Sequence, residues 1–167
     1  MGEESRQQAA VEEPALGRTE EPLTLRTIGS AFVGGLAGVA VMSPLIAGVP
    51  LVLGIFQLES LARFANLAIS QADALLGLLF FVAGGVVVLP LFFVITATFL
   101  PPQEPRYLRG ATISSFFWLP FAYLFWPGGG VVVNAIFVVV TLVSHWVYGA
   151  VLGRTMERLS GIPEHSV

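Results

Sequence analysis

Cysteine and lysine are absent from this 167-residue chain, and charged residues of any kind are scarce. Without cysteine the protein can form no disulfide and offers no thiolate to a metal. Only 11% of the residues are charged, whereas about a quarter are charged in a typical soluble domain. Together with the 55% of hydrophobic residues, this deficit predicts an integral membrane protein.

The few charges avoid the long apolar runs. Most of them lie near the two ends of the chain, where we expect an acidic, disordered cytoplasmic tail over residues 1–26 and a short cytoplasmic tail over 154–167. The Asp, Glu and Arg residues between these tails are Glu59, Arg63, Asp73, Glu104, Arg106 and Arg109.

The apolar runs predict an all-α fold, a four-transmembrane-helix bundle over residues 27–153. A straight helix needs about 20 apolar residues to cross a bilayer, and only the third run is shorter than that. The predicted spans cover about residues 27–56, 75–100, 111–126 and 131–153. Prolines at 44, 90 and 120 predict kinks in three of them. The first run also contains Pro50, so it either tilts, kinks at Pro44 or ends before Pro50.

Arginine placement predicts the orientation of the bundle. Four spans put both tails and the 101–110 loop on one side, and seven of the eight arginines lie in those three segments. The opposite side has Arg63 alone. The excess of positive charge in cytoplasmic segments therefore places both termini in the cytoplasm of a multi-pass cell-membrane protein.

A short amphipathic helix is predicted between the first two spans, over residues 57–73. Its polar positions recur at intervals of three and four. Glu59 and Arg63 are spaced for an ion pair on one helical face. This helix either covers the outer end of the bundle or docks a partner, or it is simply a hydrated connection. The polar positions are Glu59, Arg63, Asn66, Ser70 and Asp73.

Two sets of small residues predict flat helix faces. Ser30, Gly34 and Gly38 repeat every four residues in the first span, and Gly149 and Gly153 do so in the last. Small residues let membrane helices approach closely. The contact is either with a second chain or inside the bundle, and the frequency of glycine in membrane helices favours packing inside the bundle.

The last span carries the one organised polar face within the predicted bilayer segments. Asn134, Thr141, His145 and Tyr148 follow at intervals of seven, four and three. An ionisable group inside a membrane suggests a functional site, so His145 is a weak candidate for cofactor binding. A hydrogen-bonded packing role is favoured, because the spans offer no second histidine, cysteine or acid to complete a metal or haem site.

Other features exclude most catalytic classes. None of the common catalytic or phosphate-binding motifs is present, so we expect no enzyme activity, no catalytic residue, no metal and no cofactor. The basic residues are few and scattered, which argues against nucleic acid. The aromatic third span, 111–126, is typical of interfacial anchors, although it could also line a quinone or carotenoid site.

The chain resembles a loosely defined family of small four-helix membrane proteins of uncharacterised function that are frequent in halophilic archaea. The likeness rests on the glycine-rich GGLAGVAVMSP of the first span, the amphipathic segment before the second, and the closing SHWVYGAVLG. Some members are associated with haem-copper terminal oxidases. The resemblance therefore implies an accessory role near such a complex and implies no catalytic residues.

Three functional hypotheses follow from these patterns. The leading one is a non-enzymatic accessory or assembly subunit of a larger membrane complex, with other membrane subunits or further copies of itself as partners within the lipid bilayer. The second is an oligomeric channel or small-solute carrier. The third is a haem- or quinone-binding membrane protein.

Overall fold

The computed structural model describes residues 24–163, and this part of the chain is helical without any strand. Most of the predicted acidic tail and the last four residues, including His165, lie outside the described residues. Five helices make up the fold, and we number them in chain order. They are α1 Leu25–Val52, α2 Leu58–Ile69, α3 Ala74–Phe99, α4 Arg109–Leu124 and α5 Val131–Leu159.

Three of the five helices are long and apolar enough to cross a membrane. These are α1, α3 and α5, with 28, 26 and 29 residues. The predicted third span corresponds to α4, which has 16 residues and a length of about 24 Å at 1.5 Å per residue. The described residues thus form an all-helical fold with three membrane-length helices, which is consistent with a membrane protein.

The first and last helices, α1 and α5, extend into the segments predicted to be tails. The Thr24 side chain accepts a hydrogen bond from the Thr27 N–H and caps α1, so residues 25 and 26 are helical rather than disordered. At the other end, α5 continues past the predicted boundary at 153 to Leu159. The Met156 side chain is fully buried there, and Arg154 pairs with Glu157 one turn along.

The first helix passes through both of its prolines. Pro44 opens a π-helical turn, Pro44–Gly48, and the helix then continues through Pro50 to Val52. A wider turn of this kind tolerates a missing N–H donor within a helix. The helix ends four residues before the predicted limit at 56, beside Gly54, which has a φ of 67°.

The amphipathic helix α2 folds back along the start of α3. Leu61 and Ala65 are buried, and the Leu61 carbonyl lies where a Cβ on Gly77 of α3 would be. In the part of the chain that the structure describes, the predicted ion pair between Glu59 and Arg63 is not formed. Instead, Arg63 donates to the Ser60 hydroxyl at 2.8 Å, and no ion pair joins it to Glu59.

The long helices have a definite order around the bundle. α5 packs extensively against α1 on one side and α4 on the other, and α3 packs against α1. α3 and α4 meet mainly near the end of the bundle where α1 begins and α5 ends, where the Phe92 and Phe117 ring centroids are 5.6 Å apart. We call this end the terminal end, because the Ser30 and Ser160 hydroxyls share a hydrogen bond there.

A buried arginine fixes the α3–α4 connection at the terminal end. Arg109 is 3% exposed, and its guanidinium donates to the carbonyls of Ala97, Pro102 and Gln103 and to the Gln103 side chain. Its planar group with five donors suits such a set of oxygens. The connection between α3 and α4 is therefore held to the C-terminal end of α3.

Candidate functional site: a lateral cavity between two helices

The small residues predicted to form flat faces all lie against helices of the same chain. A Cβ added at Gly34 would meet Leu152 of α5, and one at Gly38 would meet Tyr148. Ser30 reaches the end of α5 through its bond to Ser160. The first-span face is therefore occupied by α5.

The last-span face is occupied by α4 and the turn before it. A Cβ on Gly149 would overlap the Gly110 carbonyl and approach the Ser114 hydroxyl, and one on Gly153 would overlap the Tyr107 carbonyl. The partners Gly110, Ser114 and Tyr107 were not identified from the sequence. The small-xxx-small spacing of Gly110 and Ser114 could have indicated these two residues, but it does not extend to Tyr107.

A cavity of about 400 Å³ separates α3 from α4 further from the terminal end. α3 and α4 supply most of the wall and α5 supplies the floor, and the Phe81 ring of α3 approaches the rings of Phe121 and Phe125 with centroids 5.9 and 6.3 Å away. We call this space the lateral cavity. Its wall is mainly aromatic, and its polar side chains are two residues of α5. The residues that define it are Phe64, Phe80, Phe81, Phe117, Phe121, Phe125, His145 and Tyr148.

Tyr148 spans the bundle to α3. Its hydroxyl donates to the Gly85 carbonyl at 2.5 Å, and its ring is 1% exposed. The Gly85 carbonyl needs this donor, because the Leu89 N–H bonds to Gly84 in the π turn Gly84–Val88 and residue 90 is a proline without an N–H. Pro90 and the π turn thus leave the Gly85 carbonyl without a backbone donor, and the Tyr148 side chain of α5 supplies the hydrogen bond instead.

His145 lies midway along α5 and forms part of the cavity floor. Its Nδ1 is 2.8 Å from the Thr141 carbonyl oxygen. A carbonyl only accepts, so Nδ1 carries a hydrogen and donates it. The ring is 4.9 Å from that of Phe121, centroid to centroid. No residue in the described part of the chain bonds to its other nitrogen, Nε2.

The remaining two members of the predicted polar face have separate roles. The Thr141 hydroxyl donates to the Phe137 carbonyl and accepts from the Trp118 indole of α4 at 2.9 Å. Asn134 lies in the first turn of α5 and donates to the Gly129 carbonyl at 3.3 Å. The structure therefore brings His145 and Tyr148 together at the cavity, and it places Asn134 at the far end of the helix.

The described residues contain no group of three or more His, Asp or Glu side chains that could hold a metal ion. The cavity can instead contact a flat apolar molecule with its phenylalanine rings. Its two polar side chains can orient a polar substituent on such a molecule. A volume of about 400 Å³ lies within the range of about 300–1,000 Å³ of small-molecule sites.

Comparison with known proteins assigns a family. No curated protein and no solved structure matches the chain significantly. A model described as a family of unknown function (DUF6789) matches residues 25–167. This match includes all five helices and the lateral cavity, and the chain belongs to the DUF6789 family.

Proposed function

We propose that the protein is a four-span integral membrane protein that binds a lipid-soluble ring compound in the lateral cavity. The observation that carries the proposal is the cavity itself. It combines six phenylalanine rings with two polar side chains. Such a combination of apolar walls with a few converging polar groups is typical of small-molecule sites.

The proposal takes α4 as the fourth span. Its 16 residues follow a 3₁₀ turn, Arg106–Leu108, which adds about 2 Å per residue. Helix and turn together approach the roughly 30 Å of a hydrocarbon core. α4 also lies along α5 over much of its length, as expected of neighbouring spans.

The arginines support the same orientation as in the sequence prediction. Arg106, Arg109, Arg154 and Arg158 are all near the terminal end, whereas Arg63 is on α2 at the opposite end. Positive charge favours the cytoplasmic side. We therefore propose that the terminal end faces the cytoplasm of the cell membrane.

Single cysteines test this topology, since the natural chain has none. Gln103→Cys is in the α3–α4 connection, and Gly129→Cys and Gln71→Cys are at the opposite end. A membrane-impermeant maleimide added to sealed inside-out vesicles should label position 103 and spare 71 and 129. Equal labelling of 103 and 129 would show that α4 does not cross.

A ligand reaches this site from the side rather than through an aqueous path. α3 and α4 form most of the cavity wall, and their outward residues Phe92 and Phe116 are exposed, as is common for side chains that face lipid. Phe64 of α2 and Phe125, the residue after α4, approach each other at the end distant from the termini, with centroids 6.3 Å apart. A molecule dissolved in the bilayer core would therefore enter laterally.

This proposal takes up the third of the functional hypotheses. An accessory subunit could pack its glycine faces against partner helices, whereas the glycines predicted to form those faces contact helices of the same chain or the turn before α4. An accessory role, a channel role, an association with terminal oxidases and an origin in a halophilic archaeon stay predictions. The expectation that the protein is not an enzyme likewise stays a prediction.

A matched pair of glycine substitutions tests the proposal. Gly84 lines the cavity and has open space at its Cβ position, so Gly84→Leu should occupy part of the cavity. Gly48 lies in the other π turn with equally open surroundings and does not line the cavity. The probe is 2-decyl-1,4-hydroquinone, titrated into the full chain in lipid nanodiscs.

We expect the native protein and Gly48→Leu to bind this probe with the same affinity. Gly84→Leu should bind it at least about tenfold more weakly, because filling a pocket removes ring contacts of about 1–2 kcal/mol. Thermal unfolding of all three proteins controls for misfolding. Equal affinity for Gly84→Leu and Gly48→Leu, with both folded, would contradict the proposal.

A further inference from the structure

We infer that the lateral cavity selects ring compounds that carry a hydroxyl hydrogen, so that it prefers phenols and hydroquinones to the corresponding quinones and ethers. This inference rests on the proposed function and names the ligand class of the same site. The observation behind it is the direction of the hydrogen bonds that His145 and Tyr148 make.

The Tyr148 hydrogen is already committed. It goes to the Gly85 carbonyl, which has lost its helical donors to Pro90 and to the π turn. Turning the hydroxyl towards a ligand would leave that buried carbonyl unpaired, which is unfavourable. Towards the cavity, the tyrosine oxygen can therefore accept a hydrogen bond and has none to donate.

The His145 hydrogen is committed as well. Nδ1 donates it to the Thr141 carbonyl, which leaves Nε2 of the neutral ring as an acceptor. A second hydrogen on Nε2 would create a buried cation. None of the described side chains that line the cavity is acidic and could compensate such a charge.

No other polar hydrogen is available from a side chain of the wall. Apart from His145 and Tyr148, the described residues of the cavity have only hydrocarbon or thioether side chains, or none. The site thus presents acceptors without a free donor. A quinone carbonyl or an ether oxygen finds no partner there, whereas a phenolic O–H does.

The preference has a thermodynamic consequence for a redox-active ligand. A site that binds the reduced form more tightly than the oxidised form shifts the redox equilibrium of the bound ligand towards the reduced form. The shift in the equilibrium constant equals the ratio of the two affinities. A quinone bound here would therefore be easier to reduce than the same quinone free in the bilayer. This consequence requires no electron-transfer group in the protein itself.

Three ligands that share one ring and one chain test the inference. They are 2-decyl-1,4-hydroquinone, its dimethyl ether and 2-decyl-1,4-benzoquinone. Each is titrated into the native protein in nanodiscs, under anaerobic conditions with a reductant for the hydroquinone. The reductant has no disulfide to attack, since the chain lacks cysteine.

We expect the hydroquinone to bind about tenfold more tightly than the ether and the quinone, as one well-made hydrogen bond allows. His145→Phe keeps an aromatic ring and removes the acceptor, so this ratio should fall at least threefold. Trp146→Phe changes the next residue, which does not line the cavity, and it should leave this ratio of affinities unchanged.

The possible failures are distinguishable. If all three ligands bind equally and Gly84→Leu weakens all of them, the donor preference is wrong and the proposed binding function stands. If none binds, both are wrong. A haem Soret band in the purified native protein that His145→Phe abolishes would also overturn the inference, since Nε2 would then be a metal ligand.

Discussion

The two halves of α4 pack in opposite ways. The first half presents Gly110 and Ser114 to Gly149 of α5 at backbone contact. The second half presents Phe117 and Phe121 to the lateral cavity, with α3 on its far side. Within one helix, small residues bring a neighbouring backbone close and large rings keep another at a distance.

This difference has a physical basis that is specific to membranes. Lipid tails are as apolar as the side chains, so helices associate through close packing and hydrogen bonds rather than through hydrophobic burial. Where glycines of two helices face each other, as Gly110 and Gly149 do, the two helix backbones come into contact. Where phenylalanines line both walls, the helices cannot close, and a space remains that a flat apolar molecule can fill.

The largest expected effect comes from disrupting the close packing of the first half of α4 against α5. In Gly149→Ala, the new Cβ would overlap the Gly110 carbonyl, so the two helices must move apart. We expect SDS titrations to give a free energy of unfolding that is lower than that of the native protein by roughly 3 kcal/mol. Gly48→Ala is the control, because nothing lies near its Cβ position, and it should be unchanged or slightly more stable. A tolerated Gly149→Ala would show that this contact is looser than the structure has it.

A smaller effect concerns the bond that bridges the floor of the cavity to α3. Tyr148→Phe keeps the ring and leaves the Gly85 carbonyl without a donor, which should lower the free energy of unfolding by about 1–2 kcal/mol. Tyr123→Phe, whose side chain is 85% exposed, should change it by less than about 0.5 kcal/mol. Equal stability of the two variants would mean that another group satisfies Gly85.

The smallest effect lies at the boundary between the two halves of α4. Trp118 donates to the Thr141 hydroxyl at 2.9 Å, and it is the polar contact between α4 and α5 next to the cavity. A double-mutant cycle with Trp118→Phe and Thr141→Val should give a coupling of about 0.6 kcal/mol, as for other hydrogen bonds between membrane helices. A coupling of zero would remove this bond from the account of helix spacing.

Much of the helical framework could be predicted from the sequence. The apolar runs locate the helices within a few residues, since length and hydropathy are local properties. The ends are less predictable. α5 continues to Leu159 because Met156 is buried and Arg154 pairs with Glu157, and such contacts depend on the fold.

The site was predictable only in part. The spacing of Thr141, His145 and Tyr148 indicates an inward polar face. The sequence does not reveal that Tyr148 bonds to Gly85, because this requires the π turn near Pro90 to coincide with the level of Tyr148 in a helix more than 60 residues away. The cavity itself results from the size of residues on helices distant in sequence.

The most direct test of the central claim is to map where a ligand binds. A 2-decyl-1,4-hydroquinone that carries a diazirine on its chain is photolysed with the native protein in nanodiscs, and the labelled peptides are identified by mass spectrometry. We predict labels on α3 between Phe80 and Leu89 and on α4 between Phe117 and Phe125, displaced by excess unlabelled hydroquinone and lost in Gly84→Leu. Labels spread over lipid-exposed residues such as Val52 and Val132, without displacement, would contradict a binding site in the lateral cavity.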